Sequence, residues 1–325
     1  MNSPEATAEA LRDAVLALRA ALARVIVGQK PIVDGLLAGL LAGGHVLLEG
    51  VPGLGKALLI KALGRALDLR VGRVQFTPDL MPADILGSDT LFESTEGPTL
   101  RFRPGPIFVE LLLADEINRA NPRTQAALLE AMAERQVTSG GTTRPLGPPF
   151  FVMATDNPIE MEGTYPLPEA QADRFLMKLP VASPDRETLL DILDVEPAAA
   201  LAALEPVMDR AALLRYQAHV AALPAADSVK GLIVDLVIGT RPEAVPADLR
   251  PYVQFGASPR GAQGLLAAAR ARAAMAGRLH VAPEDVRAMA LPTLRHRVLL
   301  NFAARADGVT ADAVIQAVAR ALGAG

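Results

Sequence analysis

Apolar positions change period along the chain, and each change predicts a different kind of element. From about Glu5 to Val25, Leu11, Val15, Leu18, Leu22 and Val25 recur three or four residues apart, as one buried helix face requires. Gly28-Gln29-Lys30-Pro31 interrupts this pattern, and a second helix is expected to run to about Ala42. Short apolar runs then take over, at His45 to Glu49, Val71 to Phe76, Val109 to Ala114, Phe150 to Ala154 and Phe175 to Val181. All five read as core strands. The helical patterns between them argue a parallel α/β sheet covered on both faces.

Local signals refine this outline. A helix is expected from Lys56 to Leu67, and another opens at Asn121-Pro122, where Ala126, Leu129 and Ala133 share a face. Thr99 to Arg103 alternates polar and apolar like half of a small hairpin, and Gly140-Gly141 sits between Gln136–Thr138 and Thr142–Arg144 like the turn of another. After Ser183-Pro184 the texture becomes Ala/Leu-rich and helical, with few strand signals. Helix starts are expected at Ser258-Pro259, with Ser258 as the cap, and at Pro283-Glu284-Asp285, and a last helix from about Thr310 to Leu322. The boundary is placed between residues 182 and 200, giving an α/β core at 1–190 with its N-terminal helix and a helical region at 191–325.

Composition narrows the function classes. The net charge of −4, from 32 basic and 36 acidic side chains without a long basic block, argues against nucleic acid as the main partner. The absence of cysteine excludes disulfides, thiolate metal sites and cysteine nucleophiles. Met1 to Glu5 lacks a basic region followed by an apolar core, and no stretch of about 18 apolar residues occurs, so a cytoplasmic chain without a transmembrane segment is expected.

Candidate chemistry is concentrated at strand ends. Gly50 to Ala57 reads GVPGLGKA directly after the first strand. It follows the phosphate-loop pattern, in which glycines let backbone N–H groups wrap phosphates and Lys56 reaches the outer ones, except that Ala57 stands where Ser or Thr would touch Mg²⁺. Leu111 to Ala114 ends in Asp115-Glu116. Carboxylates at the C-terminal edge of a buried strand suit a ligand, with Asp115 fit for Mg²⁺ and Glu116 for the water that attacks a γ-phosphate. Asn157 ends the next strand, where it could hold that water or merely make a turn before Pro158. Arg174 and Arg260 could neutralise charge on a transferred phosphoryl group or be ordinary surface arginines.

These motifs together closely resemble the MoxR family of AAA+ ATPases. The matching text is Gly28-Gln29, HVLLEGVPGLGKALL from His45, RVQFTPDLMPADILG from Arg73, FRPGPIF from Phe102, LLADEINRA from Leu112, TQAALLEAMAE from Thr124, ATDNPIEMEGTYPLPEAQADRF from Ala154 and GASPRG from Gly256, which spans nearly all of the chain. The resemblance implies a P-loop NTPase core with a five-stranded parallel sheet, a C-terminal helical lid domain, ATP or ADP with Mg²⁺ as ligands, and a homo-oligomeric ring, usually a hexamer. It implies that Gly28 and Gln29 border the adenine, that Gly50, Val51, Pro52, Gly53, Leu54, Gly55, Lys56, Ala57 and Leu58 form the nucleotide loop, and that Asp115 and Glu116 serve metal and water. Asn157 becomes the first sensor, Arg174 the arginine finger offered to the neighbouring subunit, and Arg260 the second sensor reaching from the lid.

The expected function is ATP-driven remodelling or maturation of partner protein complexes, with a partner carrying a von Willebrand factor A domain and an unnamed client. Two departures bear on it: Ala57 replaces the usual Thr or Ser, and Asp156 the usual Gln. The first allows the alternative of a nucleotide-binding structural or switch protein with little hydrolysis. A DNA-remodelling ATPase is disfavoured, since no DNA-binding module accompanies the core.

Overall fold

The structure is a computed structural model that describes residues 3–51, 53–94, 97–158 and 164–323. Helix α1 (Pro4–Ala23) starts at Ser3, whose hydroxyl accepts the Ala6 N–H, and buries Leu11, Val15, Leu18 and Leu22. Helix α2 (Lys30–Leu41) precedes β1 (Val46–Glu49), and α3 (Lys56–Ala66) and β2 (Val71–Gln75) follow. After α4 (Pro82–Leu86), β3 (Gly87–Ser94) and β4 (Gly97–Pro104) pair as an antiparallel hairpin, of which the sequence pattern revealed only the second half. Then come β5 (Leu111–Asp115), α5 (Pro122–Glu134), the β6 (Gln136–Ser139) and β7 (Thr142–Pro145) hairpin, β8 (Phe151–Asp156), α6 (Glu169–Ala172) and β9 (Met177–Pro180).

The five expected strands form one parallel sheet in the order β2-β5-β8-β1-β9. Successive side chains of a strand point to opposite faces, and the sheet uses both. Val46, Leu48, Leu111, Leu113, Phe151 and Met153 pack under α1, α2 and α3. Leu47, Leu112, Ala114, Val152 and Ala154 pack on the other side, with Leu128, Leu129 and Met132 of α5. This two-sided burial is why these strands read as continuous apolar runs. Strands β8 and β9 start one and two residues inside the apolar runs, because Phe150 and Phe175 belong to the core but precede the paired segments, while β5 and β8 end one and two residues beyond theirs, at Asp115 and Asp156.

The remainder is mostly helical: α7 (Arg186–Leu193), α8 (Pro197–Ala202), α9 (Arg210–Ala222), α10 (Asp227–Gly239), α11 (Pro259–Met275), α12 (Pro283–Leu294), α13 (Phe302–Ala306) and α14 (Ala311–Ala321). A two-stranded sheet of β10 (Val253–Phe255) and β11 (Leu299–Leu300) went unpredicted, since two or three residues carry no usable period. A third apolar cluster joins α10, α11, α12 and α14 through Ile233, Leu265, Val286, Leu294 and Val314. By contrast, α9 sends Leu213 and Val220 into the cluster under α1 and α2. Ser258 occupies the N-cap position of α11 with Pro259 following, as expected, but its side chain makes no capping bond and its Oγ donates to Asp173 at 3.4 Å instead. Among the described residues no helix is long and apolar enough to cross a membrane.

His45, at the foot of β1, links sheet and helix. Its Nδ1 accepts the Val152 N–H at 3.0 Å and its Nε2–H donates to the Met132 carbonyl at 3.3 Å, so the ring is neutral. Burial pushes its pKa down to about 4, and the nearby Arg135 charge adds to that. Between pH 6.5 and 4 the unfolded chain therefore binds a proton that the folded chain refuses, and stability falls as pH drops through that window. The expected loss is about 3 kcal/mol by pH 4. Urea denaturation at a series of pH values should give a shallower acid limb for His45→Gln, with some slope left by His296, which burial likewise holds well below its ordinary value.

Candidate nucleotide site

The loop after β1 passes Gly50, whose N–H donates to the Asp156 carbonyl at 3.1 Å, and enters α3 at Lys56. Gly53 and Gly55 take φ of +86° and +75°, in the left-handed region that side chains disfavour, and a Cβ there would face open space. Glycine is therefore required by the backbone and not by crowding. The turn leaves the first N–H groups of α3 aimed outward, a ready site for anionic oxygens. Lys56 Nζ donates to the Gly50 carbonyl at 2.5 Å. Burial lowers the Lys56 pKa, while the charges of Asp115, Glu116 and Asp156 oppose that shift.

Neighbouring strand ends bring the acids to this loop. Asp115 Oδ1 accepts Thr155 Oγ1–H at 2.9 Å and Oδ2 accepts Arg73 Nη2–H at 2.8 Å. Glu116 takes φ +57°, ψ +54°, a left-handed conformation costly for a non-glycine residue. It is held there by its N–H donating to Thr155 Oγ1 at 2.7 Å. Its Oε2 accepts Gln75 Nε2–H at 2.9 Å and Arg119 Nη1–H at 3.1 Å. Arg73, Gln75, Thr155 and Arg119 were thus missed as site residues. The alternation of Arg73 and Gln75 with Val74 hinted at an outward face, but the register Gln75↔Asp115 exists only in the sheet.

A cavity of about 300 Å³ collects Lys56, Ala57, Asp115, Glu116, Thr155 and Asn157. Asp156 is absent from its walls. Strand alternation turns that side chain away from Thr155 and Asn157 and toward the Glu49–Lys178 ion pair, where burial and Glu49 raise its pKa while Lys178 and Lys56 oppose. Ala57 offers a methyl group only, packed against the apolar cluster under α3. Through Gly53, Gly55 and Leu58 the walls continue into a second cavity of about 700 Å³, lined by Gly28, Gln29, Leu54 and, from α7, Leu189 and Ile192. Gln29 Nε2 donates to the Leu54 carbonyl at 2.7 Å, tying this apolar chamber to the loop. Val51 is half-buried and lines neither cavity, and Pro52 lies outside the described residues.

Arg174 and Arg260 are not brought to this site. Leu176 N–H donates to the His45 carbonyl at 2.8 Å, so Asp173 to Leu176 lie at the N-terminal edge of the sheet, opposite the phosphate loop. Arg174 Nη1 donates to the Leu129 carbonyl at 2.6 Å. Arg260, expected to reach a nucleotide from the lid, is exposed in the first turn of α11 beside Asp173 and Arg297, away from its own chain's cavity. The physical reason is the docking of α11 against α1, α2 and the start of β9, which turns its N-terminus away from the loop.

Residues 45–177 match the family model described as the ATPase family associated with various cellular activities (AAA), and residues 247–318 match the AAA lid domain. The chain is 45% identical over 300 residues to YeaC of Bacillus subtilis, covering 92% of this chain and 91% of that one. It is 43% identical to the chaperone MoxR1 of Mycobacterium tuberculosis, covering 98% and 85%, and 35% identical to MoxR of Paracoccus denitrificans, covering 87% of each. The crystal structure of a candidate ATPase from Cytophaga hutchinsonii superposes with a TM-score of 0.89 at 38% identity, covering 98% of this chain and 97% of that one.

Gly28 gives a direct test of the larger chamber. It has φ +73°, and a Cβ would lie 2.2 Å from Thr188 Cγ2. Gly28→Ala should lose about 1–3 kcal/mol of stability in urea titration. Adding Thr188→Ser, which removes that methyl, should recover the steric part and leave the backbone part.

Proposed function

This chain belongs to the MoxR family of AAA+ ATPases, and on that basis we propose that it hydrolyses ATP as a ring of identical subunits to remodel or mature partner protein complexes. The observation that carries the reading is the convergence of Lys56, Asp115, Glu116 and Asn157 on one cavity beside a glycine-built loop. Phosphates would lie on the loop N–H groups and Lys56, and the base in the apolar chamber of Gly28, Gln29 and Leu54. Glu116 would orient the attacking water and take its proton as the new oxygen–phosphorus bond forms and the bond to the β–γ bridging oxygen breaks, with Asn157 holding that water or the γ-phosphate.

The donor set fits Mg²⁺ in the manner usual for nucleotide enzymes, in which one or two carboxylates act together with phosphates and waters. Asp115 would hold the ion, which supplies charge neutralisation at the phosphates. Ala57 contributes no oxygen, so a water would take that position. A second reading, a nucleotide switch with little turnover, is favoured by that same residue and by the guanidiniums of Arg73 and Arg119 already paired with Asp115 and Glu116. Restoring the hydroxyl discriminates them. Ala57→Thr should raise Mg²⁺-dependent turnover by about ten-fold, which one charge-assisted ligand supports. Unchanged turnover and an unchanged Mg²⁺ titration would mean that the missing oxygen does not limit the reaction.

A ring is supported by the two arginines at the far edge of the sheet, which leave each cavity without a cation besides Lys56, Arg73 and Arg119 among its described surroundings. Arg174 and Arg260 would complete the cavity of the next subunit, stabilising charge on the transferred phosphoryl group. Six subunits, a partner with a von Willebrand factor A domain and a protein client follow from the family resemblance. Mixing Arg174→Ala chains with Glu116→Gln chains, each reduced to a low residual turnover, should raise ATPase activity above either parent once labelled-chain exchange is verified, because some interfaces then combine an intact Glu116 with an intact Arg174. No recovery in verified mixed rings would place Arg174 within its own chain's chemistry or outside it altogether.

A further inference from the structure

The run Arg295-His296-Arg297 follows α12 and lies against the segment that carries Arg174. Arg297 is only 7% exposed although charged. Its Nε donates to Asp173 Oδ1 at 2.6 Å, and its Nη2 to the carbonyls of Asp173 and Phe175 at 3.1 and 2.8 Å. Its Nη1 donates to the Leu176 carbonyl at 3.1 Å and to the Thr293 carbonyl. A guanidinium has five N–H groups in a fixed planar fork, and here each has an acceptor. Four of those acceptors belong to residues 173 to 176, so the fork grips the backbone on both sides of Arg174.

The contacts around it act on the same segment. His296 Nε2–H donates to the Phe175 carbonyl at 3.0 Å, and Arg295 Nη1 donates to the Lys178 carbonyl at 3.4 Å while forming a two-pronged pair with Asp312. Asp173 is also joined to the other arginine. Its Oδ2 accepts Ser258 Oγ–H at 3.4 Å, two residues before Arg260. One carboxylate is thus adjacent in sequence to Arg174 and hydrogen-bonded to the start of the helix bearing Arg260.

Docking two apolar faces does not need a buried ion pair, whose desolvation cost apolar side chains of similar volume avoid. What such a fork adds is geometry, since it locks a backbone that packing alone would leave free to slide. We propose that Arg297, through Asp173, is a positioning residue that fixes Arg174 and Arg260 at a set spacing for delivery to the neighbouring subunit's phosphates. This rests on the intersubunit reading above.

The test is a double-mutant cycle on ATP turnover, with thermal midpoints recorded to establish folding. Arg297→Lys keeps a cation opposite Asp173 but directs its three N–H groups from a single point and cannot span the five acceptors. It should lower kcat by about 10- to 100-fold, the scale on which a misplaced group acts, and leave KM for ATP within about two-fold. On an Arg174→Ala background the loss should shrink to the part carried by Arg260, and on an Arg174→Ala/Arg260→Ala background it should vanish. Asp173→Ala, which removes the side-chain acceptors of Arg297 and Ser258 and leaves the guanidinium in place, should behave likewise and serves if Arg297→Lys does not fold. A raised KM with unchanged kcat, or the same fold-loss on every background, would reduce Arg297 to a structural residue while Arg174 keeps its assignment. If Arg174→Ala alone retains parental turnover, the arginine-finger reading fails, and the positioning proposal falls with it.

Discussion

Parallel pairing of β1 with β8 on one side and β9 on the other is the constraint on which the rest depends. Parallel strands start at one edge and finish at the other, so everything that follows a strand gathers on one side and everything that precedes it on the opposite side. Gly50, Glu116 and Asn157 follow strands, and they meet. His45 and Leu176 precede strands, and their hydrogen bond fixes the far edge that bears Arg174. A single topological fact thereby separates the loop proposed to receive phosphates from the arginines proposed to act on them.

Electrostatics at the near edge follows from burial. Two carboxylates at the tip of an apolar strand would be costly unless paired, and the fold pairs both by drawing on β2, β8 and the turn after β5. Thr155 serves both acids: it donates to Asp115 and accepts from the Glu116 backbone, so one hydroxyl holds the Asp115 carboxylate and the strained Glu116 in mutual register. Burial lowers the Lys56 pKa, and the charges of these acids oppose that shift. Ala57 is then a local change: the loop shape depends on Gly53 and Gly55, and the alanine methyl rests on the core without disturbing either.

At the far edge the helical region is more than a cover. It has an apolar cluster of its own, yet α11 also sends Ala268, Ala271 and Ala274 into the cluster under α1 and α2, sets Gly264 beside Leu176, and the turn after α12 places the Arg297 fork on Asp173. Packing and hydrogen bonding at one seam therefore decide which direction Arg260 faces. Any motion of the helical region must either carry the Asp173–Leu176 segment with it or break a buried, fully bonded guanidinium.

Periodicity and local motifs determined the five strands, the helices that cover them, the glycine loop with Lys56, and the acids at the strand end, because each depends on residues close together in the chain. The partners of those acids were not legible. Arg73, Gln75 and Thr155 reach Asp115 and Glu116 across strand pairings about 40 residues apart in sequence, and no local pattern encodes a register between separate strands. Asp156 and Arg260 make the same point in opposite senses: the first is adjacent to site residues yet turned from the cavity by strand alternation, and the second carries the right chemistry but is held at the far edge of its own chain. Which residues can do the chemistry was written in their types and neighbours, whereas which cavity they serve was decided by strand order and by helix docking, both of which are long-range contacts that only the folded chain makes.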